Sequence, residues 1–115
     1  MTLLEAIDAG DREAIESLVA DDVVFHSPVQ TYRGKGQVIR LLVTVGGVID
    51  DVSVTRELDG VTFFVATVEE HPVDGVLVQR DGDDGQVAEI TLMMRPLAQL
   101  QAAVARMARA LAERG

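Results

Sequence analysis

Apolar residues recur along the chain at two different periods, and the changes between them mark its elements. Leu3, Leu4, Ile7, Ile15, Leu18 and Val19 fall at helical spacings. Gly10-Asp11 interrupts them, which predicts two helical pieces around a tight corner. Asp11 is placed to cap the second piece, over residues 12–20, which should end before Asp21-Asp22. Residues 23–27 read as a short β-branched and aromatic strand, closed by Pro28, whose ring nitrogen has no hydrogen to donate to a ladder. After a turn-rich loop from Tyr32 to Gly36, Val38, Ile39, Leu41, Leu42 and Val45 share one helical face. They predict a helix over 37–45 that Gly46-Gly47 terminates.

From there the pattern is that of strands. Segments 48–58, 61–70, 73–80 and 86–95 are bounded by Asp59-Gly60, by a break at His71-Pro72 and by a turn over 81–85. Residues 97–114 form an Ala-rich helix, begun by Pro96 at a first-turn position where a missing N–H costs nothing. Helices gathered ahead of a meander imply an α+β fold, with helices packed on one face of a curved antiparallel sheet. The strands are apolar on both faces, since Val61, Phe63 and Val65 alternate with Phe64, Ala66 and Val68. Such a sheet needs two covers. The N-terminal helices supply one; the C-terminal helix or a second subunit supplies the other.

Composition narrows the picture. A chain of 115 residues is expected to be one domain, 1–115, with 97–114 as a helical extension. Hydrophobic residues make up 48% and aromatics 3%, so the core must be aliphatic. With no Cys there is no disulfide framework, zinc–thiolate site or thiol nucleophile, and a reducing cytoplasmic location is expected. No apolar run reaches the roughly 18–20 residues a bilayer span needs. A net charge of −9 weighs against nucleic acid and anionic membranes as partners, because both would be repelled.

The run LEAIDAGD from Leu4, then ADDVVFHSPV, then YRGKGQVI, then a meander with an Asp-Asp-Gly turn resembles the nuclear-transport-factor-2-like superfamily. Within it the likeness is to the SnoaL-like, polyketide-cyclase-like and ketosteroid-isomerase-like members, and it covers nearly all of 3–95. The resemblance implies a cone: a bent sheet wrapped by helices around a deep apolar pocket, often dimeric through the outer sheet face. Enzymes, ligand binders and adaptors all use this fold, so membership alone does not decide function.

Position by position, the isomerase chemistry that the resemblance brings is missing. The acid those isomerases carry before the proline is Ser27 here, their first-helix tyrosine is Leu3, and their later protonated acid is Leu77 or, with a one-residue slip, Val76. A serine without an adjacent base is neither base nor nucleophile near neutral pH. The remaining candidates for proton transfer are His26 and Asp74, with Arg95 to stabilise an enolate. His26 neighbours Ser27 on a strand and so faces the other way. Ser27, Tyr32, Phe63, Leu77, Glu89, Thr91 and Met93 are the expected pocket residues. Glu89, Thr91, Met93 and Arg95 share one face of the last strand and offer the more polar wall.

No metal or cofactor is expected. Glu69, Glu70, His71 and Asp74 lack a ligand spacing, residues 81–85 lack the downstream Glu of a calcium loop, and Gly34 and Gly36 precede no phosphate-loop Lys. In the last helix Leu97, Leu100, Val104, Met107 and Leu111 form a narrow stripe, favouring a homodimer contact. The expected function is therefore binding, with conversion as a further step, of a small apolar polyketide- or steroid-like metabolite. If there is an enzyme, it is an isomerase-, cyclase- or dehydratase-like proton-transfer enzyme without the usual acids. The alternative is a non-catalytic dimerisation or adaptor domain, which a cone filled by Phe63, Phe64, Met93 and Met94 would favour.

Overall fold

A computed structural model describes residues 1–114. The elements run α1 (Leu3–Ala9), α2 (Arg12–Leu18), β1 (Val19–His26), β2 (Thr31–Arg33), α3 (Lys35–Gly46), β3 (Asp50–Leu58), β4 (Val61–Val68), β5 (His71–Asp81), β6 (Val87–Arg95) and α4 (Leu97–Arg114).

Local chemistry explains the helix starts. Thr2 and Glu5 form a reciprocal capping box: the Glu5 N–H donates to Thr2 Oγ1 at 3.1 Å and the Thr2 N–H to Glu5 Oε1 at 2.7 Å. Asp11 caps α2 by accepting from the Ala14 N–H at 3.1 Å. Helix α2 stops at Leu18, and β1 begins at Val19 rather than Val23. The early start was hidden because consecutive exposed residues, Asp21 and Asp22, sit at a register shift between Val19 and Val24 that breaks the alternation. Residues 31–33, expected as loop, pair with β1 as a short edge strand.

The His71-Pro72 break also moves. The turn between β4 and β5 is made by Glu69 and Glu70, both left-handed at φ 51° and 69°, a conformation that suits the right-handed twist of a two-residue hairpin. Pro72 lies inside β5. The ladder with β6 starts only at Asp74 opposite Arg95, so Pro72 has a strand on one side alone.

The six strands form one curved, unclosed sheet in the order β2-β1-β6-β5-β4-β3. The sheet is not wholly antiparallel: β1 and β6 run parallel. Helix α3 carries the chain to the far edge, and the meander then closes on β1 from that side. Register shifts in the β1–β6, β3–β4 and β5–β6 ladders let the sheet bend. Helices α1 to α3 fill the concave side, where Leu3, Ile7, Ile15 and Leu42 meet Phe25, Phe64, Leu77 and Ile90, all nearly inaccessible. Among the described residues no helix is long and apolar enough to cross a membrane.

Among the close approaches that require glycine, one lies between two helices and one within the sheet. A Cβ on Gly46 would run into the Ile7 carbonyl oxygen where α3 crosses α1, and one on Gly75 would run into the Phe64 ring at Cζ. Replacing Gly46 forces backbone apart, since no side chain can rotate away. Gly46→Ala should lower unfolding stability in urea by about 3 kcal/mol. Gly47→Ala, whose nearest neighbour would be Thr44 O at 3.5 Å, should change it by less than ~0.5 kcal/mol.

Candidate functional site

Strand alternation and the ladder registers sort every candidate residue onto one of two sheet faces. On β6, Ile90, Leu92 and Met94 point to the helices, and Glu89, Thr91, Met93 and Arg95 point away from them. The register extends this division across the sheet: Thr91 sits opposite Val78 and His26, Met93 opposite Val76 and Val76 opposite Phe63, and Arg95 opposite Asp74.

The concave side holds a hollow of about 170 Å³ between the β1–β2 loop, α3, the end of β6 and α4. Phe25, Leu92 and Met94 rise from the sheet, Leu41, Val45, Val48 and Ile49 come from α3 and the segment after it, and Leu100, Ala103, Met107 and Leu111 close it from α4. Pro28, Val29, Val104 and Ala108 line its solvent-facing part and are exposed. Among the described residues no Asp, Glu, His, Lys or Arg lines it, and its only polar side chains are Ser27 and Tyr32.

These two differ in what they have left to give. The Ser27 hydroxyl donates to the Gln30 carbonyl at 2.8 Å and accepts from the Val29 and Gln30 N–H groups at 3.2 and 3.1 Å, so it is spent on its own turn. Tyr32 is half-buried with its ring 6.3 Å from that of Phe25 at an interplanar angle of 29°, and its hydroxyl bonds to no described residue. It is therefore the free hydrogen-bonding group on an otherwise aliphatic wall.

The other expected pocket residues need correction. Phe63, Glu89, Thr91 and Met93 lie on the outer face, and Leu77, although inward, is a core residue 2% exposed rather than part of the wall. Of the two residues, Leu77 faces the helices and Val76 faces out. His26, Asp74 and Arg95 share the outer face too, so the strand period separates all three from anything held in the hollow. The hollow is not filled in the way an adaptor was expected to fill it. Phe63 and Met93 are outside, Phe64 stacks over Gly75, and only Met94 reaches the wall.

What the outer face does hold is a surface charge network. His26 Nε2 lies 2.7 Å from Glu89 Oε2 and Nδ1 lies 2.9 Å from Thr31 Oγ1. A carboxylate only accepts, so Nε2 carries the proton and, in the neutral ring, Nδ1 accepts from the threonine hydroxyl. Arg80 Nε donates to the other Glu89 oxygen at 3.1 Å, and Arg95 Nη1 donates to Asp74 Oδ2 at 2.7 Å. The His26 N–H and then the Arg80 guanidinium hold the Glu89 carboxyl below its ordinary value. A depressed carboxyl contributes stability above its unfolded pKa and loses it as pH falls through the folded one.

Among the described residues no group of three or more His, Cys, Asp or Glu side chains could hold a metal ion. Of the wall residues only Ser27 and Tyr32 were expected from the sequence; those missed include Phe25, Leu41, Val45, Val48, Ile49, Leu92 and Met94. For Leu92 and Met94 the signal that would have found them is the placement of opposite charges across neighbouring strands, Arg80 with Glu89 and Asp74 with Arg95, which marks the solvent side of β6.

A family model for the SnoaL-like domain matches residues 2–90. The chain belongs to that family. This SnoaL-like domain is similar to a steroid delta-isomerase from Pseudomonas aeruginosa, with 34% identity, a TM-score of 0.87, and 96% of this chain and 86% of that chain covered. It is also similar to a protein with a cystatin-like fold from Silicibacter pomeroyi, with 27% identity, a TM-score of 0.86, and 91% and 79% covered. A de novo designed protein with a curved β-sheet, 17% identical, matches with a TM-score of 0.73 over 87% of this chain and 84% of its own, which shows the fold alone. No functionally curated protein matches the chain. The SnoaL-like fold is compatible with small-molecule binding or isomerase activity.

The outer-face network is testable by carbon-detected titration of the Glu89 carboxyl. His26→Ala should move its midpoint up toward the ordinary glutamate value. An unchanged midpoint would show that the imidazole does not set it.

Proposed function

We propose that this SnoaL-like domain binds a neutral, largely apolar molecule of about one ring, whose carbonyl or hydroxyl bonds to Tyr32. The observation that carries the reading is the chemistry of the hollow: about 170 Å³, aliphatic, without an ionisable acid or base other than the Tyr32 phenol among the described residues. A dry cavity of roughly 150 Å³ is known to accept benzene. Drug-sized ligands need roughly 300–1,000 Å³, so a polyketide- or steroid-sized ligand exceeds the hollow as it stands.

Binding is favoured over conversion on the same grounds. Proton transfer needs a group that changes charge near working pH within reach of the substrate. Leu3, Ser27 and Leu77 occupy the positions where the isomerase-like resemblance would have put such groups. The excluded ligands follow as well, because a carboxylate in this hollow would find no cation.

The energetics set the affinity range. Burying a ring of roughly 150 Å² at ~25 cal/mol per Å² yields about 4 kcal/mol, so a bare ring binds in the millimolar range. Ligand-observed NMR is suited to that regime. Acetophenone should bind the wild-type protein, and Tyr32→Phe should weaken it two- to tenfold while leaving ethylbenzene unchanged. His26→Ala and Arg95→Ala should bind both as wild type does. An equal loss for both ligands in Tyr32→Phe would point to packing instead of hydrogen bonding. No binding of either to wild type would remove the reading.

A second reading, pairing of two copies through the outer sheet face, has its own support. Leu58, Phe63, Val65 and Met93 are large, 37–52% exposed and grouped on that face, with Asp74, Arg95, Arg80 and Glu89 of both signs around them. A two-fold axis would set such a patch against its own copy, with residues of both signs available to pair across it. Sedimentation equilibrium should give a dimer for the wild type and a monomer for Phe63→Glu. A wild-type monomer at millimolar concentration would sink this reading.

A further inference from the structure

Helix α4 is attached to the rest of the chain differently from the other helices. It borders the hollow with Leu100, Ala103, Val104, Met107, Ala108 and Leu111, and of its large side chains only Met107 and Leu111 also pack against the core. Among its described residues only Ala103 is fully buried, whereas Leu100, Met107 and Leu111 are half-buried and Val104 is 37% exposed. Helix α3, by contrast, buries Val38, Ile39, Leu41, Leu42, Thr44 and Val45. A side chain bordering a void lacks partner atoms on that side, so lifting α4 breaks fewer close contacts than lifting α3 would.

The polar attachments of α4 are equally sparse. Arg106 Nη1 donates to the Val48 carbonyl at 3.1 Å and Arg40 Nη2 to the Leu111 carbonyl at 3.3 Å. No ion pair joins the helix to the body among the described residues. The helix also has a local bias toward its own shape. Its interior is rich in Ala, Leu, Gln and Arg, the residues with the highest helix propensity, so it re-forms its turns readily, although a detached helix of this length is only marginally stable in water and its amides open often. The solvent-facing part of the hollow, between Pro28-Val29 and Val104, is already a seam along which it would separate.

Resting on the ligand-binding reading above, we infer that α4 is a hinged wall of the ligand site. It swings about the β6–α4 junction at residues 95–96, and its docked position sets the largest molecule that the hollow accepts. Closed, the wall admits a single ring. Opened, it exposes Leu41, Val45, Leu92 and Met94 to a longer apolar ligand.

The absence of cysteine makes the test direct. In Ala103→Cys the only thiol stands on the α4 side of the hollow; in Ala6→Cys it stands in the core between helices and sheet and reports global unfolding. Fluorescein maleimide, too bulky for the hollow, should label Ala103→Cys at least tenfold faster than Ala6→Cys. Adding Arg106→Ala should raise the Ala103→Cys rate a further two- to tenfold, the loss of one hydrogen bond, with Ala6→Cys unaffected. Labelling of Ala103→Cys by methyl methanethiosulfonate but no faster than Ala6→Cys by the maleimide would mean a fixed wall with a small mouth, and would overturn the proposal. Hydrogen exchange on the unsubstituted chain gives an independent readout. The α4 amides should exchange as a group and faster than those of α3, and equal protection would overturn the hinge even if Ala103→Cys failed to fold. Neither assay contains a ligand, so a protein that labels as a hinged wall yet binds no acetophenone keeps the hinge and loses the ligand reading.

Discussion

The structure depends on the two-residue period of β5 and β6 where these central strands pass between helices and solvent. Ile90, Leu92 and Met94 must face the helices, because α1 to α3 and α4 offer them only apolar partners. Once they do, Glu89, Thr91, Met93 and Arg95 are obliged to face outward, and the ladder carries the same sorting to His26 on β1 and Asp74 on β5. A slip of one residue would bring Arg80, Glu89 and Arg95 into an aliphatic core, a cost that unpaired buried charge makes prohibitive. The separation of a dry interior from a charged exterior is thus one constraint rather than two.

Function follows from what this separation leaves inside. The scaffold is shared with a steroid delta-isomerase, yet the hollow contains neither carboxylate nor imidazole among its described wall residues. Inside such a wall a lone hydroxyl has unusual weight: in the binding reading proposed above it is the one side-chain group left to orient a ring by hydrogen bonding. The titratable groups that draw attention in the chain, His26 above all, bond to each other at the surface, where solvent screens them.

The same hollow links the fold to its dynamics. A helix that borders a hollow contributes less to the cooperative core than a helix packed on side chains throughout, so in the hinged-wall proposal the element that completes the site is also the one that moves. Size selection and access are then two consequences of one packing defect.

Much of this was legible in the sequence. The α–α–strand–α–meander–α order, the Asp11 cap, the Asp59-Gly60 hairpin and the strand ending before Pro28 all follow from local periodicity and turn chemistry, which act over a few residues. What escaped was long-range. Residues 31–33 form a strand only because β1 is there to pair with them, the start of β1 is masked by a register shift, and Pro72 fits β5 only because β6 ends short of it. Alternation along β6 announced two faces, but both were apolar enough to be inside. Only the packing of helices on one of them decided that Leu92 and Met94 line the hollow and that Glu89, Thr91 and Met93 meet solvent, because burial is a property of the whole chain's surface and not of any segment of it.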